Sequence, residues 1–131
     1  MKRKARKSKR KTRANVTKVI LLQLTSGRIR KTGDIVAGTN GDISIRENDK
    51  IRFEYPTGTQ TFALLIMRFT PNAGGNGDPD ETPFSARAFL TTDGTLEKKI
   101  KTGAKQGRYE YRLALLDGNA LITDDPQIIV Q

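Results

Sequence analysis

The sequence predicts an all-β fold, an antiparallel Greek-key sandwich of seven to nine strands that carries a basic N-terminal arm. Three observations support this. Apolar and polar side chains alternate with a period of two in several segments, as expected of strands with one face on a core and one in water. Turn dipeptides separate these segments at intervals of roughly ten residues, which is typical of sandwiches and barrels. Most of the net charge lies in the first thirteen residues.

In chain order, the candidate strands are 16–25, 28–31, 35–37, 43–46, 50–55, 60–69, 85–92, 95–101, 108–116 and 127–130, of which we expect the weakest to drop out. The segment 60–69 (QTFALLIMRF) is apolar on both faces until Arg68, which predicts an internal strand. The segment 95–105 has an alternative, a helix with Thr95 as its N-cap.

Two segments show which side chains should face the core. In KIRFEY, Ile51, Phe53 and Tyr55 share one face, and in RYEYRLALL the shared face begins with Tyr109 and Tyr111. Exposed aromatic side chains beside basic groups can stack on nucleic-acid bases. Here the neighbours on each face are aliphatic, so the pattern favours core packing, and we do not predict a base-stacking surface.

Four turn signals punctuate the strands. Asn40-Gly41, Asp93-Gly94 and Asp117-Gly118 tolerate the positive φ angles that tight hairpin turns require. The segment YPTGTQ at 55–60 predicts a compact hairpin between the strands on either side of it. The segment 70–83, rich in Gly and Pro, predicts one long loop.

The composition excludes several classes of chemistry. The chain has no Cys and no His, which removes disulfides, thiolate metal sites and Ser–His–Asp catalysis, and it fits a reducing compartment. Two carboxylate clusters offer hard oxygen ligands for Ca²⁺, but their Pro and Gly neighbours favour turn chemistry. They are Asp78, Asp80 and Glu81, and Asp124 and Asp125. We therefore predict no enzyme, no catalytic residue, no metal and no cofactor.

The N-terminal arm is the strongest functional signal. The chain has a net charge of +10, of which residues 1–13 supply nine, so residues 14–131 carry a net charge of +1. Such a run of like charges prevents a packed core, so we predict a disordered arm over 1–15 and a sandwich over 16–131. We expect the arm to bind the phosphates of RNA or DNA, without reading sequence, through Lys2, Arg3, Lys4, Arg6, Lys7, Lys9, Arg10, Lys11 and Arg13.

Basic residues continue beyond the arm. Lys18, Arg28, Arg30 and Lys31 are candidates to extend the phosphate-binding surface where the arm leaves the domain, and the alternative is an ordinary solvated strand face. In GRIRK, Arg28 and Arg30 fall on one face of an extended segment. A second group in EKKIKTGAK is more typical of an edge strand, where Lys prevents edge-to-edge pairing: Lys98, Lys99, Lys101 and Lys105.

A basic start followed by an apolar run also invites a membrane interpretation. The apolar run at 19–24 (VILLQL) is short, contains Gln23 and is not followed by a small-x-small cleavage site, so a secretory signal is disfavoured. No segment approaches the roughly 20 apolar residues of a membrane span. The arm lacks the large apolar side chains of an interfacial helix, which disfavours membrane binding.

The segments ISIRENDKIRFEY, GRYEYRLALLDG and DDPQIIVQ resemble, over residues 43–131, the strands of cupredoxin-like domains. The resemblance implies a Greek-key sandwich. In the copper-binding members of that family, Cys and His hold the metal. This chain has neither, so the resemblance implies the scaffold without electron transfer. The layout of a basic arm followed by an all-β domain is also similar to small viral coat proteins, although the domain is small for a jelly roll.

Together these features predict a non-enzymatic, nucleic-acid-binding structural protein. The arm would neutralise RNA or DNA, and the sandwich would mediate assembly, either as a coat or capsid-like homo-oligomer or as a component of a larger nucleoprotein. The expected location is the cytoplasm or a virion or nucleoprotein particle, or the nucleus of a eukaryotic host. The alternative is a protein-interaction sandwich whose basic tail serves as a targeting or surface-anchoring signal.

Overall fold

The computed structural model describes residues 14–55, 61–117 and 120–131. Within these ranges the chain forms ten strands and no helix, which confirms the predicted all-β class. In chain order the strands are β1 (Thr17–Thr25), β2 (Arg28–Gly33), β3 (Ile43–Ile45), β4 (Lys50–Glu54), β5 (Phe62–Pro71), β6 (Ala88–Thr91), β7 (Thr95–Lys99), β8 (Gly107–Asp117), β9 (Ala120–Asp124) and β10 (Gln127–Val130).

The strands form two sheets that enclose one hydrophobic core. The four-stranded sheet has the order β2-β1-β4-β7, and the six-stranded sheet has the order β3-β10-β8-β5-β6, with β9 also paired to β8. The predicted sandwich is confirmed, but purely antiparallel pairing is wrong, since β1 pairs β4 and β10 pairs β3 in parallel. The chain crosses repeatedly between the sheets, so strands that pair in a sheet are often distant in sequence. Where no hairpin joins two paired strands, they can run parallel.

Nine of the ten strands overlap predicted segments, and β5 is internal as predicted, because it lies between β8 and β6. The helix alternative for 95–105 is wrong, since β7 occupies its first half. The predicted strand 35–37 is also wrong. There the amide of Ile35 donates to the Gly33 carbonyl (2.9 Å) and that of Val36 to the Asp42 carbonyl (2.8 Å), which makes a loop. Strand β9 was not predicted because it is short and ends in Asp124, and Asp is rare in strands.

The predicted turns hold only in part. A hairpin between β8 and β9 is confirmed, because the two strands pair antiparallel up to Asp117 and Ala120; residues 118–119 of its turn are outside the described ranges. The hairpin predicted across 55–60 is wrong, because β4 and β5 lie in different sheets; residues 56–60 themselves are outside the described ranges. At Asp93-Gly94, a carboxylate oxygen of Asp93 accepts from the hydroxyl of Thr91 (2.7 Å) and the amide of Thr95 (3.1 Å). That turn forms, but it leads from the six-stranded sheet to the four-stranded sheet.

The predicted core faces are confirmed. Phe53 of the four-stranded sheet meets Tyr111 of the six-stranded sheet with ring centroids 5.8 Å apart, and both side chains are buried. The Tyr111 hydroxyl donates to the Gly41 carbonyl (2.7 Å) and the Tyr109 hydroxyl to the Lys105 carbonyl (2.7 Å), so neither buried phenol lacks a hydrogen bond. Burial raises the pKa of both tyrosines. These aromatic side chains hold the sheets together and are not available for stacking on bases.

Candidate nucleic-acid interface

The nine basic residues predicted to carry most of the binding lie in residues 1–13, outside the described ranges. The structure does describe where the arm joins the domain, at the exposed residues Ala14, Asn15 and Val16 that precede β1. This junction is called the arm root here. Its surroundings decide which residues of the folded body stand beside the arm.

The arm root is fixed by a buried carboxylate. The Val16 amide donates to Oδ1 of Asp49 (3.0 Å), and Oδ2 of Asp49 lies 3.4 Å from the Arg46 amide nitrogen that donates to it. The Lys50 amide then donates to the Val16 carbonyl (2.9 Å), at the point where the parallel pairing of β1 and β4 begins with Thr17 and Lys50. Asp49 is 1% exposed. The point at which the arm leaves is therefore held against the turn between β3 and β4.

Four cationic side chains surround the arm root, and we call them the root cations. They line two open cavities of about 340 Å³ each, and Val16 borders both. One cavity is bordered by Asn15, Val16, Thr17, Asn48, Lys50 and Lys99. The other is bordered by Val16, Lys18, Ser44, Ile45, Arg46, Asp49 and Gln131. The root cations are Lys18, Arg46, Lys50 and Lys99.

Strand register places the first cavity's cations side by side. Thr17, Lys50 and Lys99 are successive partners across β1, β4 and β7, so their side chains share the outer face of the four-stranded sheet. Like charges directly opposite each other destabilise a sheet. Glu97 partly offsets this repulsion, because its carboxylate lies 3.7 Å from the Lys50 ammonium. Sequence reasoning missed Lys50 because its pairing partner is 49 residues away.

The candidate residue Lys18 lies beside the arm root. It is half-buried and borders the second cavity together with the exposed Arg46, which follows β3. Arg46 was not predicted, since it stands alone in its segment and carries no charge-run signal.

Arg28 and Arg30 are both exposed on one face of β2, as predicted. They pair with Thr25 and Gln23, near the end of β1 opposite the arm root. At about 3.3 Å per residue along β1, this places them about 20–26 Å from Thr17. The structure therefore does not bring these two arginines together with the root cations.

Lys31 requires a correction. Its residue is 2% exposed, and its ammonium pairs with the Asp124 carboxylate and donates to the Ile29 carbonyl (3.0 Å). The Asn40 amide also donates to Asp124 (3.4 Å). Burial lowers the pKa of Lys31 to about 8. Lys31 is committed to an ion pair that joins β2 of one sheet to β9 of the other, so its charge is not available to phosphate.

The remaining charged clusters have structural partners. Asp78 accepts from the Asp80 amide (2.9 Å), which confirms the turn interpretation of that cluster. Glu81 lies within ion-pair distance of Lys101 (3.5 Å) and Lys105 (3.8 Å). Within the described ranges, no group of three or more acidic side chains is arranged to hold a metal ion.

The edge-strand interpretation of the second lysine group is confirmed for β7, which lies at the edge of the four-stranded sheet. Lys98 lies over the Phe89 ring, 4.5 Å from its centroid, and so covers the rim between the sheets. Lys99 of the same strand points to the outer face and reaches the arm root.

The outer face of the six-stranded sheet is different in kind. It carries a continuous group of apolar side chains, called the apolar outer face here: Ala63, Leu65, Leu90, Ala114, Leu116 and Leu121. Leu90 is 68% exposed, Leu121 is 67% exposed and Leu116 is 48% exposed. Exposed apolar groups of this kind often mark surfaces that bind other proteins.

Comparison with known proteins assigns no relative: no family model matches the chain, and a search of curated proteins finds no similar sequence. In the described residues, no helix is long and apolar enough to span a bilayer. The case for the interface therefore depends on charge and geometry.

Proposed function

We propose that this chain is a non-enzymatic structural protein that binds nucleic acid. Its arm neutralises RNA or DNA phosphates while its sandwich mediates assembly. One observation carries the proposal: nine of the net +10 charges precede a body that is close to neutral. The convergence of the four root cations on the arm root supports it, because the body adds positive charge where the arm begins.

The physical basis of binding is counterion release. Lys and Arg that neutralise phosphates free the condensed cations of the nucleic acid, so the affinity falls steeply with salt and depends little on sequence. Arg adds bidentate hydrogen bonds to phosphate oxygens, and Lys adds compact point charges.

The apolar outer face supports the assembly half of the proposal. It lies on the six-stranded sheet, whereas Lys50 and Lys99 lie on the outer face of the four-stranded sheet. A subunit so divided can contact neighbouring copies with one sheet and hold a polyanion near the other. This suits a coat-like homo-oligomer or a nucleoprotein component, located in the cytoplasm, in a particle or in the nucleus of a eukaryote.

For the scaffold, we infer a cupredoxin-like Greek-key sandwich that has no copper ligands. The mixed sheets support this inference, as does the order of strands crossing between them. The absence of Cys and His from the sequence removes the residues that hold copper in that family.

The alternative is a protein-interaction sandwich whose basic tail serves as an address. The apolar outer face supports this alternative as much as it supports assembly. Nucleic-acid binding is therefore the property that separates the two proposals.

The test compares the full chain with a shortened chain that begins at Ala14. Fluorescence anisotropy with labelled RNA and duplex DNA, at a series of salt concentrations, gives log affinity against log salt. We expect the full chain to bind with a slope whose magnitude is below about 0.9 for each of the nine arm charges. The shortened chain should stay folded by circular dichroism and lose most of the affinity. Equal affinity of the two chains would refute the role of the arm.

Light scattering after size-exclusion chromatography tests the assembly half. A megadalton particle supports a self-assembling coat, and a monomer or dimer excludes one under the same conditions. The chain has three Tyr and no Trp, so it absorbs weakly, and co-purifying nucleic acid would dominate the ultraviolet spectrum.

A further inference from the structure

We propose that the folded body has its own phosphate-binding site at the arm root. There the two cavities on either side of Val16 hold successive phosphodiester groups of the strand that the arm neutralises. Lys50 and Lys99 serve one cavity, and Lys18 and Arg46 serve the other. This inference rests on the proposed function and adds a defined path for the nucleic-acid backbone across the domain.

The first argument is positional. The root cations come from four separate segments, namely β1, the turn after β3, β4 and β7, so their convergence is a product of the fold and not of a charge run. The Asp49 carboxylate, bonded to the amides of Val16 and Arg46, fixes the junction between the two cavities. A nucleic-acid strand bound by the arm therefore reaches the cavities from a fixed position on the domain.

The second argument is electrostatic. Lys18, Arg46 and Lys99 form no ion pair with any carboxylate in the described part of the chain. Lys50 approaches Glu97 at 3.7 Å, but the Arg52 guanidinium holds that carboxylate more closely, at 2.9 Å, and its hydrogen bond lowers the pKa of Glu97. Asp49 also borders the second cavity, but its carboxylate is buried and accepts from the amides of Val16 and Arg46. Most of the positive charge at the root is therefore available to an external anion.

The third argument concerns hydrogen bonding. Asn15, Thr17 and Asn48 border the first cavity and offer neutral donors for phosphate oxygens. The Asn48 carbonyl oxygen accepts from the Thr102 hydroxyl (2.6 Å), which leaves its amide nitrogen as a donor. Ser44 and Gln131 play the same role in the second cavity. Cations combined with neutral donors suit an anion that presents several oxygens, as a phosphodiester does.

The chain provides its own matched control. Arg28 and Arg30 are exposed cations on the same outer face as Lys50 and Lys99, but near the other end of β1. Removing either pair lowers the net charge by two. If only the net charge matters, both substitutions should weaken nucleic-acid binding equally. If a local site binds phosphate, only the substitution of Lys50 and Lys99 should weaken binding.

The experiment uses three double variants of the full chain: Lys50→Gln with Lys99→Gln, Lys18→Gln with Arg46→Gln, and Arg28→Gln with Arg30→Gln. Each is titrated with labelled oligouridylate and oligothymidylate across a salt series. On single-stranded nucleic acid, each phosphate contact contributes about 0.7 to the magnitude of the slope of log affinity against log salt. Each root double variant removes two contacts and should therefore reduce that magnitude by about 1.4. The Arg28/Arg30 double should leave the slope near that of the unaltered chain.

Charge-conserving replacement separates binding from folding. Lys50→Arg with Lys99→Arg should retain the slope of the unaltered chain, and circular dichroism should show the same melting for every variant. A slope that falls equally in all three glutamine doubles, or in none, overturns this inference while leaving the arm's role intact. Failure of the unaltered full chain to bind refutes the proposed function itself. The same variants are titrated in a separate series with vesicles of phosphatidylserine and phosphatidylcholine. If the root variants lose affinity for vesicles only, the assignment of the site to nucleic acid is overturned.

Discussion

The outer faces of the two sheets differ sharply, although both sheets cover the same core. On the four-stranded sheet, the outward positions carry mainly charged and polar side chains, including Arg28, Arg30, Lys50, Arg52, Glu54, Glu97 and Lys99. On the six-stranded sheet, Arg108, Glu110 and Arg112 point outward along one half of β8, and the rest of that surface is the apolar outer face, which includes the highly exposed Leu90 and Leu121. Among the described strand residues, the buried side chains of both sheets are apolar apart from Lys31 and Thr91.

This difference separates two constraints on the sequence. Inward side chains must fill a dry core, so they resemble one another in both sheets. Outward side chains have no such requirement, so their composition reflects what each sheet meets outside the domain. An apolar surface left in water favours association, whereas a charged surface favours solvation or an ionic partner.

The largest expected effect comes from making the apolar outer face polar. The double variant Leu90→Gln with Leu121→Gln should convert an assembled full-length chain to monomers, because it removes the two most exposed apolar side chains of that face. Both residues are about two-thirds exposed, so the melting temperature should change little. Multi-angle light scattering measures the mass.

The matched control is Leu21→Gln, on the outer face of the four-stranded sheet, where Leu21 is 39% exposed. It should leave the assembled mass unchanged. Equal loss of mass in both variants would mean that the two faces do not differ in their role.

The next effect concerns the link between the sheets. Asp124 and Asp125 are adjacent, yet Asp124 pairs with the buried Lys31 and Asp125 forms a two-point ion pair with the partly exposed Arg112 (2.7 and 2.9 Å). Asp124→Ala leaves a buried ammonium without its carboxylate and should lower the free energy of unfolding by about 3 kcal/mol. Asp125→Ala should cost much less, since water solvates both partners of the exposed pair.

Urea denaturation of the two alanine variants measures this asymmetry. Similar destabilisation by both would show that Lys31 is solvated and that the link does not hold the sheets together.

A smaller effect is expected at Gly41. Its φ of +109° is unfavourable for other residues, and a Cβ there would lie 2.3 Å from Cε of Lys31. Gly41→Ala should therefore cost about 2 kcal/mol, from backbone strain and displacement of the buried lysine. Gly38→Ala is the matched control, because Gly38 also has a positive φ (+80°) but has open space around the Cβ position. The difference between their urea midpoints reports the clash together with the less favourable φ of Gly41, and equal midpoints would show that Lys31 moves aside at little cost.

Much of the fold could be predicted because period-two alternation records which side chains face the core. Ile51 and Phe53 on β4, and Tyr109 and Tyr111 on β8, were assigned correctly from this pattern. Sheet membership could not be predicted. The turn at Asp93-Gly94 forms from local hydrogen bonds, but whether β7 joins the sheet of β6 depends on packing with β4, which is distant in sequence.

The candidate site shows the same limit. The charge of the arm could be read directly from the sequence, and so could the outward direction of Arg28 and Arg30. The pairing of Lys50 with Lys99 could not, because it depends on register between strands that are far apart in the chain. Lys31 was misassigned although its spacing from Ile29 indicated an inward face, because its partner Asp124 lies 93 residues away.

The last comparison separates the cations within β2 itself, where two arginines face water and Lys31 faces inward. Burial lowers the pKa of Lys31 to about 8 from the ordinary value of 10.5, although the Asp124 carboxylate favours the charged form. Between these two pH values the unfolded chain binds more protons than the folded chain, so the free energy of unfolding should rise with pH. Tyr109 and Tyr111 act in the opposite direction above about pH 10, because burial raises their pKa values in the folded state.

The unaltered chain should therefore show urea midpoints that rise above pH 8 and turn downward near pH 10. In Lys31→Met the rise should vanish while the decline at high pH remains, since the tyrosines are unchanged. A wild-type profile that is flat or falling across this window, and identical to that of Lys31→Met, would show that the lysine stays solvated. The inward position of Lys31 would then impose no electrostatic cost. Lys31 would be solvated in the folded chain, as Arg28 and Arg30 are.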